Sequence, residues 1–163
     1  MTNTIRPCLT FKDRAEEAVK LYVSIFPNSK ITELTRVEND GGPIPKGKCL
    51  SAIFELGGRE YRAFDGGETF TFTEGISLDV TCKTQDEVDR YWSALTANGG
   101  EEGPCGWLKD RFGVSWQIIP EQLGQMLSDP TSGDAGACIT AMLQMKKLDI
   151  AALERAYRGT PVA

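Results

Sequence analysis

The feature that most constrains the fold of this chain is an internal repeat with a period of 71 residues. Asp13-Arg14-Ala15-Glu16 and Thr84-Gln85-Asp86-Glu87 both have the pattern of a helix capping box, and they begin 71 positions apart, at 13 and 84. The helix-breaking pairs Pro27-Asn28 and Asn98-Gly99 follow at the same spacing, at 27 and 98. The sequence therefore predicts two copies of one supersecondary unit.

Each copy is predicted to have the element order β-α-β-β-β. Alternating apolar and polar runs predict the strands, and apolar residues three and four apart predict the helix that follows the first strand of each copy. The fold class that follows is α+β, with two tandem βαβββ modules and a C-terminal helical extension. The predicted segments are a first module at 1–65, a connector at 66–75, a second module at 76–120 and a helical tail at 121–163. The predicted strands lie at 5–11, 31–37, 48–56, 59–65, 76–82, weakly near 103–108, and at 114–119, with helices at about 13–26 and 85–97.

The composition narrows the classes of function. The 163 residues carry a formal charge of −5 with both signs interspersed, so there is no basic stripe of the kind that binds nucleic acid. The sequence has no signal-peptide core and no apolar run long enough to span a membrane. Its five cysteines are scattered without a C-x-x-C pair, which favours a reducing compartment. We therefore expect a soluble cytoplasmic protein that binds neither nucleic acid nor membrane.

The predicted strands have one apolar face and one polar face. Successive side chains point to opposite faces, so the apolar set, which includes Leu50, should pack under the helix, and Cys49 should lie on the other face. The polar face is either simply solvated, as in many antiparallel sheets, or part of a polar-lined cavity. Its candidate binding residues are Arg6, Cys8, Glu55, Arg62, Ser77, Asp79 and Gln117.

Several motifs resemble one protein family over nearly the whole chain. They are Asp65-Gly66-Gly67, Phe72-Thr73-Glu74, the run GWLKDRFGVSWQIIP at 106–120, and the run MKKLDIAAL at 145–153. They resemble the PhnB-like branch of the vicinal oxygen chelate superfamily, which also contains glyoxalases, bleomycin resistance proteins and extradiol dioxygenases. The resemblance implies a glyoxalase-like fold of paired βαβββ modules, with a U-shaped cavity and a homodimer. The branch shares a domain name with 3-demethylubiquinone-9 3-methyltransferase, but the chain lacks the glycine-rich strand-to-helix turn with which most doubly wound methyltransferases hold their cofactor.

The resemblance also implies positions for a metal ion. Metal-using relatives hold one divalent ion with histidine, glutamate or glutamine side chains on the cavity face. The matching positions here are Arg6 or Cys8, Arg62, Ser77 and Gln117. The chain has no histidine, arginine cannot bind a metal, and Gln117 is the one plausible oxygen ligand among these positions. We therefore expect no bound metal and no cofactor.

Two functions of different class remain open. The first is metal-free binding of a polar or anionic metabolite in the cavity. The second is an enzyme of the same superfamily: a lyase, an isomerase or the methyltransferase of the family name. In this enzyme Asp79 or Glu55 would act as general base, and Arg62 would stabilise a developing oxyanion. Binding is favoured because the sequence contains no recognisable catalytic pair.

Three further features have both a structural and a functional interpretation. Trp107 is a candidate for stacking on a planar ligand, whereas the alternation places Trp116 in the core. Asp65-Gly66-Gly67 is either an anion-binding nest or a turn between modules. The apolar stripe of the tail needs cover from its own module or from a partner, and it comprises Cys138, Ala141, Met142 and Met145.

Overall fold

The computed structural model describes residues 5–40, 42 and 44–159, and within them it contains two four-stranded mixed sheets and five helices. The predicted α+β class with two βαβββ modules and C-terminal helices is confirmed. The chain divides into two compact units, Met1–Thr71 and Phe72–Ala163, called unit 1 and unit 2 below. Each unit contains one sheet, sheet 1 or sheet 2.

Unit 1 is a sheet with one helix packed on one face. Its elements are β1 (Cys8–Phe11), α1 (Ala15–Ile25), β2 (Lys30–Arg36), β3 (Cys49–Leu56) and β4 (Arg59–Asp65). The strand order is β1-β4-β3-β2, with β1 parallel to β4 and the other neighbours antiparallel. Helix α1 packs mainly on β3 and β4, and Val19, Tyr22 and Phe54 are fully buried. Each such side chain contributes about 1.5–3 kcal/mol of burial free energy.

Unit 2 repeats this arrangement and adds the helical tail. Its strand order is β5-β8-β7-β6, with β5 parallel to β8, as the repeat predicts. The weak strand predicted near 103–108 is wrong in extent, because residues 103–106 form a loop that includes the left-handed backbone of Cys105 and Gly106. This loop separates two short strands, at 101–102 and 107–109. The elements are β5 (Leu78–Cys82), α2 (Gln85–Thr96), β6 (Glu101–Glu102), β7 (Trp107–Lys109), β8 (Ser115–Pro120), α3 (Glu121–Ser128), α4 (Ala135–Leu143) and α5 (Ile150–Tyr157).

The two helix caps differ, although their sequences predict the same capping box. In unit 2 the prediction is confirmed: Glu87 N donates to Thr84 Oγ1 at 3.2 Å, and Lys83 N donates to the Glu87 carboxylate at 2.7 Å. In unit 1 the prediction is wrong, because the cap residue is Arg14 and makes no side-chain cap bond. The amide of Ala15 donates instead to Asp65 Oδ1 at 2.7 Å, so a strand residue of β4 caps helix α1.

The placement of Cys49 and Leu50 is also opposite to the prediction. Cys49 is 1% exposed and lies on the helix side, whereas Leu50 is 47% exposed. The register of β3 against β2 shifts between Thr35 and Arg36, where Leu50 is the extra residue of a β-bulge. A bulge inserts one residue into the alternation, so side chains before it change face.

The tail covers its own apolar stripe. Leu123, Met126, Cys138, Leu148 and Leu153 form a buried cluster in unit 2. Met142 and Met145 pack against this cluster. Of the two alternatives for covering the stripe, the structure shows cover by the protein's own unit.

Candidate functional site

The open face of sheet 1, meaning the face opposite α1, places Cys8 beside Arg62. The two residues are register partners in the parallel β1–β4 ladder, and both are exposed. The guanidinium carbon of Arg62 lies 5.9 Å from the centre of the Phe64 ring. Across the described ranges, no carboxylate oxygen lies within 4.0 Å of an Arg62 nitrogen. The Arg62 charge is therefore not neutralised by an ion pair within the part of the chain that the structure describes.

Arg6 and Glu55, the other candidates in unit 1, have ion-pair partners. Arg6 precedes β1, and its guanidinium pairs with Glu60. The carboxylate of Glu55 lies 3.6 Å from Lys30 Nζ. These pairs are partly solvated, so each contributes little to stability. Both candidates are less available to a ligand than Arg62.

The open face of sheet 2, opposite α2, brings together Ser77, Asp79 and Gln117. Asp79 and Gln117 are register partners in the β5–β8 ladder. Gln117 Nε2 donates to Ser77 Oγ at 2.8 Å. Burial raises the pKa of Asp79 above its ordinary value, because desolvation disfavours the carboxylate. The alternation predicted this shared face correctly, and a role of the three residues in binding remains a prediction.

A tight turn around Asp110, which is 3% exposed, explains much of the motif at 106–120. Asp110 Oδ1 accepts hydrogen bonds from Phe112 N at 2.8 Å and from Val114 N at 3.1 Å. Its Oδ2 accepts one from Trp116 Nε1 at 2.9 Å, and Trp116 is a core residue as predicted. Gly113 supplies the left-handed backbone of the turn, with φ at 89°. The turn therefore gives Asp110, Gly113 and Trp116 structural roles.

Other residues of the same motif line a cavity. Lys109 and Ser115 are register partners between β7 and β8, and Trp107 shares their face because it lies two residues before Lys109. With Glu74 and Glu101 they line a cavity of about 400 Å³ within unit 2. The sequence indicated Trp107 as a stacking residue but gave no reason to select Ser115 or Lys109. Alternation along β7 and β8 was the signal that placed them on one face.

The residues at the implied metal positions do not fit a divalent ion. Cys8 and Arg62 occupy the positions in unit 1, and an arginine cation repels a metal. In unit 2 the side chain of Gln117 donates a hydrogen bond to Ser77, and the hydroxyl of Ser77 is itself a weak metal ligand. Within the described ranges, no three Cys, Asp or Glu side chains lie close enough to hold a metal ion.

The strand order and the paired βαβββ units define a glyoxalase-like fold of the vicinal oxygen chelate superfamily. The fosfomycin resistance protein FosX from Mesorhizobium loti is similar in fold, with a TM-score of 0.55 and 12% identity over 79% of this chain and 99% of that chain. Protein PA1353 from Pseudomonas aeruginosa has a TM-score of 0.61 and 22% identity over 73% of this chain and 98% of that chain. At these identities the likeness shows the fold alone.

Two further matches show the family. A PhnB protein from Bacillus cereus is 35% identical over 72% of this chain and 99% of that chain, with a TM-score of 0.65. The model of the family described as 3-demethylubiquinone-9 3-methyltransferase matches residues 3–119. The chain therefore belongs to this PhnB-like family. No curated protein matches it, and no helix among the described residues is long and apolar enough to cross a membrane.

Proposed function

We propose that this protein binds a small polar or anionic metabolite on the open faces of its sheets, without a catalytic metal. The observation that carries the proposal is the exposed guanidinium of Arg62, which has no ion pair within the described residues. Its planar fork of donors matches the geometry of a carboxylate or a phosphate. Cys8 beside it, and Ser77, Asp79 and Gln117 on the open face of sheet 2, are the further candidate contacts.

The position of Arg62 makes a test with a matched control possible. Arg62 and Arg59 lie on the same strand three residues apart, and the alternation places them on opposite faces of sheet 1. Thermal-shift measurements with malate, phosphoenolpyruvate and inorganic phosphate should show stabilisation, since a ligand of the folded state raises the melting temperature. Arg62→Ala should abolish this shift, and Arg59→Ala should leave it intact.

The free energy of unfolding separates this role from a structural one. Arg62 is exposed, so Arg62→Ala should lower the stability by about 1 kcal/mol or less. A loss of several kcal/mol with an intact ligand response would reject the binding role. Absence of any stabilisation by anions in the wild-type protein would reject the choice of ligand class.

An enzymatic function is the second candidate, and the raised pKa of Asp79 favours it. A carboxylate with a raised pKa is a better general base near neutral pH than one with an ordinary pKa. Glu55 is a weaker candidate because it pairs with Lys30. Of the possible reactions, the methyltransferase named by the family has least support, since neither sheet is the parallel doubly wound type that carries the usual cofactor turn. Turnover of any substrate that survives in Asp79→Asn would exclude this base.

We further propose a cytoplasmic homodimer, as the family resemblance implies. The exposed apolar side chains of Ile139 and Leu143, one turn apart on α4, support an additional contact surface. Light scattering at micromolar concentration should give twice the chain mass of 17.9 kDa. A mass of one chain would contradict the proposal.

A further inference from the structure

We propose that the cavity of unit 2 is a second binding site, and that it takes a planar ligand that is positively charged or uncharged and forms a hydrogen bond with Ser115. The cavity is lined by Glu74, Glu101, Trp107, Lys109 and Ser115. Its volume of about 400 Å³ lies within the usual range of small-molecule sites, roughly 300–1,000 Å³. The cavity lies on the same open face of sheet 2 as Gln117, the register partner of Trp107, but Ser77, Asp79 and Gln117 are not among its lining residues. It is therefore a site separate from the anion-binding contacts proposed above.

The first observation is the hydroxyl group of Ser115. Ser115 is 1% exposed, and its Oγ has no hydrogen-bond partner within the described residues. A buried polar atom without a partner destabilises the fold, and such atoms are few in native proteins. Ser115 lines the cavity while its Oγ is itself buried, so a rotation about the Cα–Cβ bond would present the hydroxyl to a group that enters the cavity.

The second observation is the charge of the lining. It contains three glutamates, at 74, 101 and 102, and the lysine at 109, and Lys146 Nζ lies 3.7 Å from the Glu102 carboxylate, so with this lysine the net formal charge is −1. Lys109 is already paired with Glu74. Glu101 is the register partner of Lys109 and adds a second carboxylate beside it. An anionic ligand would therefore meet repulsion, whereas a cation would be attracted.

The third observation is the aromatic wall. Trp107 is half-buried and lines the cavity. An indole ring attracts flat rings by stacking and attracts cations by its quadrupole. The other two tryptophans, Trp92 and Trp116, are 3% and 1% exposed. Fluorescence quenching by a ligand in the cavity should therefore come from Trp107.

The test uses three matched probes that share one ring. They are 1-methylnicotinamide, which is a cation, nicotinamide, which is uncharged, and nicotinate, which is an anion. Titration into the full-length protein should quench tryptophan fluorescence saturably, with 1-methylnicotinamide binding roughly ten-fold tighter than nicotinate because of the negative lining. Trp107→Phe should remove the saturable quenching.

Two substitutions separate the roles of the lining residues. Ser115→Ala should weaken binding of nicotinamide roughly five-fold, the effect of one hydrogen bond. It should leave the melting temperature unchanged or higher, since it removes an unpartnered hydroxyl. Glu101→Gln should reduce the preference for the cation, whereas the exposed Glu121→Gln in α3 should not.

Several results would overturn the proposal. Quenching that rises linearly for all three probes, without saturation, would mean only collisional contact. An unchanged affinity in Ser115→Ala, or a crystal structure in which Ser115 Oγ holds a water and no probe, would remove the hydroxyl from the site. Arg62→Ala should leave the titrations unchanged, so this proposal and that for unit 1 can fail independently.

Discussion

The cap of helix α1 by a distant strand residue leads to a sharp prediction about Asp65. Asp65 is 3% exposed, and its two carboxylate oxygens accept hydrogen bonds from two buried amides. Ala15 N donates at 2.7 Å and Cys49 N at 2.9 Å. The carboxylate therefore joins the start of α1, the start of β3 and the end of β4.

The expected loss of stability follows from these two bonds. Asp65→Ala leaves both amides without an acceptor, and each unsatisfied buried group costs about 1–3 kcal/mol, so the free energy of unfolding should fall by about 2–6 kcal/mol. Asp65→Asn keeps one oxygen acceptor and should lose about half of that amount. A domain of ordinary stability has about 5–15 kcal/mol in total, so the first change is severe.

Asp13 provides the matched control. It lies at the position that the sequence predicts for the cap, but its carboxylate makes a partly solvated contact with Lys48 Nζ at 3.5 Å. Asp13→Ala should therefore cost less than about 1 kcal/mol. Urea unfolding followed by circular dichroism measures both losses. Hydrogen exchange by NMR should show faster exchange of the Ala15 and Cys49 amides in Asp65→Ala alone.

The outcome that would refute this reasoning is equal destabilisation by the two alanine substitutions. The capping box predicted from the sequence would then be the true cap of α1. Unchanged exchange of the Ala15 amide in Asp65→Ala would lead to the same conclusion.

Two further predictions concern titrating groups. Hydrogen bonds from Arg36 and Lys20 lower the pKa of Glu16 from 4.5 to about 2, so the stability that Glu16 contributes is present above pH 4.5 and is lost as the pH falls through about 2. When the free energy of unfolding is measured against pH, Glu16→Gln should therefore lose less stability between these two values than the wild-type protein. Identical profiles would contradict this prediction. Burial raises the thiol pKa of Cys49 to about 11 and that of Cys82 to about 12. A thiol reagent should therefore modify the exposed Cys8 in the native protein, and Cys49 and Cys82 only after unfolding. Rapid labelling of Cys82 in the native protein would show that its burial is transient.

Features that depend on neighbouring residues were predictable from the sequence. The bond between Thr84 and the amide of Glu87 spans three positions, so its pattern is visible in the sequence. The alternation along strands likewise placed Asp79 and Gln117 on one face, because side-chain direction in a regular strand depends only on position. The repeat predicted that both sheets have one topology, and they do.

Features that depend on contacts between distant segments were decided by the tertiary structure. Asp65 replaces Asp13 as the cap because the end of β4 meets the start of α1, 50 positions away. The bulge at Leu50 follows from the pairing of β3 with β2, and it reverses the faces of two residues that alternation had assigned. The hydroxyl of Ser115, which has no partner among the described residues, arises in the same way, since only packing determines which buried polar atoms lack a partner. Alternation and capping patterns are local properties of the chain, whereas register shifts, distant caps and unsatisfied atoms arise from contacts that form only when the whole unit folds.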